Sequence, residues 1–168
     1  YRKIIKYSPY SFQAHNNLGL QYELRGLDEQ AEAEYKKALE IKPDLLEAHS
    51  NLAKLYFKLK RYAEAKSEYA IVEKNCPANK IAEVENNIGN IYEAEGLFKQ
   101  AIERYNLALK LDPRIVFAHF NLARIYYAQK DTDSAGLHIL ESLTEIAGSA
   151  QAVDCKVIID FLKNSGYV

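Results

Sequence analysis

The sequence predicts an all-α chain of antiparallel helix pairs stacked one on the next, a solenoid. Three observations carry the prediction. A block of residues returns at near-constant intervals along the 168-residue chain. Within each block small and large residues alternate at fixed offsets. Glycine and proline are scarce, at 7 and 4, while Ala, Leu, Glu and Lys are abundant, which favours helix.

The recurring block reads HNNLGLQY from His15, HSNLAKLY from His49, ENNIGNIY from Glu85 and HFNLARIY from His119. The step from His15 to His49 equals that from Glu85 to His119. The step between them, from His49 to Glu85, is longer by two, with the extra residues near positions 79–81. A second block follows each first: AEAEYKKAL from Ala31, AKSEYAIV from Ala65, AIERYNLAL from Ala101 and AGLHILESL from Ala135. One constant interval separates Ala31 from Gly19, Ala65 from Ala53, Ala101 from Gly89 and Ala135 from Ala123. Pro43, Pro77 and Pro113 close the first three repeats. A period of about 34 residues marks a repeat architecture, in which each unit buries its apolar face only against its neighbours.

Each first block carries apolar residues at helical spacing, as in Leu18 and Tyr22, Leu52 and Tyr56, Ile88 and Tyr92. Gly26 and Gly96 fall between the two helices, where a left-handed residue ends the first helix at little cost. Lys60 and Lys130 hold that place in the second and fourth repeats, so those turns are expected to be strained. Asp28, Asp44, Asp112 and Asp133 fall near helix starts and are expected to cap free N–H groups.

With small residues at 19, 31 and 38 and large ones at 18, 22 and 35, and the same places filled alike further on, the units resemble tetratricopeptide repeats. The resemblance covers nearly the whole chain and places the repeats at 12–45, 46–79, 82–115 and 116–149. It implies a right-handed superhelix whose first helices line the concave side. Residues 1–11 then read as the second-helix remnant of a preceding repeat, because Tyr1 and Pro9 lie one repeat length before Tyr35 and Pro43. With no methionine anywhere, the chain is expected to be a piece of a longer protein that continues N-terminally. In the fourth repeat Ile139 replaces the tyrosine, and a helix over about 149–163 with Val153, Val157, Ile158, Phe161 and Leu162 on one face is expected to cap the stack. Residues 150–168 are assigned to that capping helix and the tail, and the tail 165–168 is expected to be a true C-terminus.

Charge and composition narrow the function. There are 22 basic and 23 acidic residues, a net charge of −1, without the basic excess of a nucleic-acid binder. No apolar run reaches the ~20 residues of a membrane span. Cys76 and Cys155 form no CxxC motif and are read as free thiols. His15, His49 and His119 share one repeat position with Glu85 and are expected to pack between helices, one repeat apart and too far to share a metal; His138 is isolated in sequence. No nucleophile–base grouping or phosphate loop is evident, so no catalytic residue, metal or cofactor is assigned and the chain is read as a non-enzyme. The compartment is open, with a soluble cytoplasmic setting favoured.

One position stands out on the expected concave side. Asn17, Asn51, Asn87 and Asn121 recur in all four first helices, although asparagine is a mediocre helix former. An amide offers a donor and an acceptor and so matches a peptide backbone. This row resembles the asparagine ladder of the repeat superhelix of O-linked N-acetylglucosamine transferases, where it grips extended protein substrates; the resemblance implies a peptide ligand and no transferase activity. The alternative is that the asparagines bond neighbouring repeats or water. Around them Asn90, Lys54, Arg124, Phe57, Phe120 and Tyr127 are candidate ligand contacts, with Phe117 and Glu23, Glu47, Glu83 and Glu93 nearby. Phe117 and Phe120 have a second reading, as contacts of the capping helix. The lysines and arginine of the chaperone-tail clamp found in some tetratricopeptide domains are missing, which argues against an acidic C-terminal ligand of that type. The expected function is a scaffold binding an extended protein segment. The alternative is self-association into a homo-oligomer through exposed solenoid ends or the groove, motivated by Ile4, Ile5 and Tyr7.

Overall fold

The computed structural model describes residues 10–129 and His138. The described residues form seven α-helices and no strand: α1 Phe12–Glu23, α2 Asp28–Ile41, α3 Leu46–Lys58, α4 Tyr62–Asn75, α5 Ala78–Ala94, α6 Phe98–Leu111 and α7 Val116–Ala128. The expected N-terminal remnant, with Ile4, Ile5 and Tyr7, lies outside these residues. So do the second helix of the fourth repeat apart from His138, the turn at Lys130, the cap, Asp133 and Cys155. The all-α class and the helix-pair architecture are as the repeat spacing predicts.

The chain forms two compact bodies, residues 1–77 and 78–168. In the first, α1 packs on α2 and α3 on α4, with α2 seated between the pairs against α3. In the second, α5 packs on α6, and α6 in turn on α7. Small residues make this close packing feasible. Ala31, Ala38, Ala48, Ala53 and Ala65 are fully buried in the first body, as are Ala101, Ala108 and Ala118 in the second. Tyrosines fill the next layer, with Tyr35 and Tyr105 fully buried and Tyr56 and Tyr69 nearly so. Gly19 and Gly89 are the tightest points. A Cβ there would stand 2.6 Å from a ring carbon of Tyr35 and 2.5 Å from one of Tyr105.

The helix ends follow local rules. Gly26 and Gly96 adopt φ of 70° and 76°, and Lys60 adopts 59°. In each case the next residue reaches back: Leu27 N–H donates to Tyr22 O at 2.9 Å, Arg61 to Tyr56 O at 2.8 Å and Leu97 to Tyr92 O at 2.8 Å. This bond pattern satisfies carbonyls that a helix end otherwise leaves open. Lys60 has a Cβ and holds this conformation against roughly 1–2 kcal/mol of steric cost. Among the described residues the expected aspartate caps are not formed. Leu27 rather than Asp28 is the N-cap of α2, without a side-chain bond. Asp112 accepts from the Arg114 backbone N–H at 3.1 Å, ahead of the α7 N-cap at Ile115. Ser11 caps instead, accepting from Ala14 N–H at 3.3 Å. Asp28 sits one position past its N-cap, Asp44 one position before Leu45 and Asp112 most of a turn before Ile115, so none holds the cap position. The two extra residues of the longer middle step lie inside α5, which runs to 17 residues against 12 or 13 for the other first helices.

A polar lock ties the first repeat to the second. Glu32 of α2 accepts from Arg61 Nη1 at 2.6 Å, Lys36 Nζ at 2.7 Å and Tyr56 Oη at 3.0 Å. Arg61 also lies over the Tyr56 ring, 4.2 Å from its centre. Burial raises the Glu32 carboxyl, but the bonds from Arg61, Lys36 and Tyr56 outweigh it and hold it at about 2. A folded value below the ordinary 4.5 means the unfolded chain binds the proton more tightly. The lock therefore contributes fully above about pH 4.5 and is lost as pH falls toward 2. Glu32→Gln should cost about 1–2 kcal/mol at pH 7, and the gap from wild type should close by about pH 2. Urea unfolding of both proteins at the two pH values checks this; a gap that does not depend on pH contradicts it.

Candidate peptide-binding face

The first helices α1, α3, α5 and α7 carry the residues singled out as ligand contacts. Asn17, Asn51, Asn87 and Asn121 are half-buried, as are Asn90, Phe57 and Phe120; Lys54 and Arg124 are exposed, and Tyr127 is 39% exposed. Phe117 is 74% exposed. Asn16 and Asn86, the residues just before Asn17 and Asn87, are buried.

That burial has a reason. In the first body Asn51 Nδ2 donates to Asn16 Oδ1 of the preceding repeat at 3.1 Å. In the second body Asn121 Nδ2 donates to Asn90 Oδ1 at 2.8 Å and to Asn86 Oδ1 at 3.4 Å. Each second asparagine of a body is thus braced against the repeat before it. The structure brings Asn121, Asn90 and Arg124 into one network. Arg124 pairs with Glu93 at 2.7 Å and reaches Asn121 Oδ1 at 3.5 Å. Tyr105 Oη lies 2.8 Å from both Asn90 Oδ1 and Glu93 Oε2. Phe57 stands apart from this chemistry, its ring tilted against Tyr62 with centres 6.0 Å apart.

A second polar series runs between the two helices of each repeat. His15 Nδ1 meets Glu34 Oε2 at 2.6 Å, and His49 Nδ1 meets Glu68 Oε2 at 2.6 Å. In the third repeat the charges are exchanged: Arg104 Nη1 donates to Glu85 Oε2 at 2.8 Å. In the fourth, His119 Nδ1 lies 3.3 Å from His138 Nδ1, and His138 stacks on Tyr126 at 5.6 Å. His138 is therefore not isolated. His49 and His119 also hold Pro43 O and Pro113 O through Nε2, at 2.9 and 3.1 Å, tying helix to turn. The histidines do lie between helices as expected, but as members of polar pairs. The sequence separation of the partners is the same in every repeat, a regularity that the sequence contains and that the reading by blocks missed. Among the described residues no group of three or more His, Cys, Asp or Glu is placed to hold a metal ion, and no helix is long and apolar enough to cross a membrane.

With the helix pairs and their packing established, the class is defined. Family models described as "TPR repeat" match residues 22–60 and 89–130, and one described as "Tetratricopeptide repeat" matches 47–79. The chain belongs to the tetratricopeptide repeat family. It is 36% identical over 80 residues to an uncharacterized protein, ycf37, of Cyanophora paradoxa, a match covering 46% of either chain. The chain thus spans about half the length of that curated relative. Among solved structures it resembles a crystal structure of MamA, with TM-score 0.77 and 21% identity over 90% of this chain and 87% of that one. It also resembles PilW, a widely conserved type IV pilus biogenesis factor, with TM-score 0.76 and 18% identity over 99% and 84% of the two chains. At these identities the likeness speaks for the fold.

Proposed function

We propose that the chain holds an extended segment of a partner protein along its first helices, with Asn17, Asn51, Asn87 and Asn121 meeting the partner's backbone. The observation that carries this reading is the recurrence of a half-buried asparagine at one place in every first helix, two of them braced by the repeat before. Bracing through Nδ2 limits the side chain's freedom while the amide oxygen can still accept a backbone N–H. Ordering a contact before the ligand arrives lowers the entropic cost of binding. Lys54, Phe57, Phe120 and Tyr127 add side-chain preference, and Arg124 acts through Glu93.

The competing role for the asparagines is to pin repeats together, and the two roles separate in one experiment. Heptapeptides selected from a random library on the full chain are measured against wild type, the Asn17→Ala/Asn87→Ala variant and the Asn51→Ala/Asn121→Ala variant. Asn17 and Asn87 make no side-chain hydrogen bond among the described residues. Their replacement should therefore leave stability within about 0.5 kcal/mol yet weaken binding about tenfold. Replacing the braced pair should lower both. Affinity unchanged in the Asn17/Asn87 variant rejects the ladder.

A further inference from the structure

Glu23 and Glu93 hold the same place in the first and third repeats, at one fixed distance before the buried tyrosine of the second helix. In both, the phenol holds one carboxylate oxygen: Tyr35 Oη donates to Glu23 Oε2 at 2.7 Å, and Tyr105 Oη lies 2.8 Å from Glu93 Oε2. In the third repeat the other oxygen is occupied as well. Arg124, on the first helix of the next repeat, sets its Nη2 2.7 Å from Glu93 Oε1. The first repeat differs here. Lys54 stands as far along the chain from Glu23 as Arg124 does from Glu93. Yet Lys54 is exposed, and neither it nor Glu23 forms an ion pair among the described residues.

We infer that Glu23 Oε1 receives the guanidinium or ammonium of an arginine or lysine carried by the bound segment, in the position that Arg124 fills for Glu93. The inference rests on the peptide-binding reading above and adds the ligand's charge to it. Three features favour it. Glu23 is half-buried and already fixed by Tyr35, so an incoming cation meets an ordered acceptor. A bond between a charged donor and a carboxylate is among the stronger hydrogen bonds. The surroundings are negative: burial first, then Glu23 and Glu47, push the Tyr35 phenol above its ordinary range. Glu47 occupies the place that Phe117 has in the fourth repeat, so the second body lacks this extra carboxylate.

The test uses the full chain and random heptapeptides displayed on phage. Peptides selected on wild type should carry arginine or lysine at one fixed position, and alanine there in the synthetic peptide should weaken binding about tenfold. Lys54→Arg supplies an internal guanidinium at the position of Arg124 and should abolish the basic preference without disturbing the fold, since the position is exposed. Glu23→Gln keeps an acceptor for Tyr35 and should abolish the preference too. Selected peptides with no basic preference overturn this inference and leave the ladder standing. So does a preference that survives both variants. Failure to select any peptide overturns both.

Discussion

Gly89→Ala lowers the stability of the protein by about 2 kcal/mol, and Gly19→Ala does the same in the first body. At an ordinary exposed helix position the sign is opposite, because alanine exceeds glycine by about 1 kcal/mol in helix propensity. Here the new methyl would stand 2.5 Å from Tyr105 Cε1, inside any real carbon contact. Tyr105 is fully buried and its hydroxyl is held by Asn90 and Glu93, so the ring cannot withdraw without breaking a bond. Tyr35 is held in the same way by Glu23. The second repeat is the internal control. There Phe57 stands in the glutamate's place, Tyr69 is the matching tyrosine, and the methyl is accommodated with Ala53 fully buried. Glycine and glutamate thus go together, since a tyrosine that reaches over the first helix needs both. Urea unfolding checks the expectation; an unchanged or higher midpoint for Gly89→Ala contradicts it.

Arg104→Ala is expected to cost about 3 kcal/mol, because it removes a guanidinium from a buried carboxylate. The Glu85 side chain is 2% exposed, against 30% for Arg104, so the carboxylate is the member that cannot turn to water. The stronger test is exchange. Glu85→His alone sets an imidazole against a guanidinium, and Arg104→Glu alone sets two carboxylates together, so both should lose about 2–4 kcal/mol. The double variant copies the His–Glu pairs of the first two repeats and should recover most of the loss. A double variant whose cost equals the sum of the two singles contradicts the pairing, as a double-mutant cycle would then show no coupling.

The helix pairs were legible because their signals are local or periodic: Gly26 and Gly96 mark turns, and Leu52 and Tyr56 mark a buried stripe. Lys60 was legible for the same reason, as it fills a glycine's place. The caps were not, since cap geometry turns on a single residue, and Asp28 lies one position inside its helix. The site was half legible. The recurrence of Asn51 and Asn121 can be read directly, but their donation to Asn16, Asn86 and Asn90 crosses from one repeat to the next. Nothing in a single repeat encodes the rotation that brings those amides together. Likewise the sequence places Glu93 near the candidate contacts, but its bonds to Arg124 and Tyr105 run between helices and are not legible there. The His–Glu series left a constant spacing, but that signal is readable only once both helices are known to be antiparallel and in contact.

Every pair in that series begins and ends within one repeat. A repeat can therefore exchange acid for base across this contact by two compensating substitutions, as the third has done relative to the first and second, giving up only the bond that His49 and His119 make to the closing proline of the repeat before. The asparagine contacts follow the opposite logic, because each needs the preceding copy to supply an acceptor. When such an array grows or shrinks by duplication and loss of whole repeats, the internal pairs travel intact with their copy, and the asparagines must find new partners at every junction. Divergence is therefore freest between the two helices of a repeat, and most constrained on the surface where repeats adjoin.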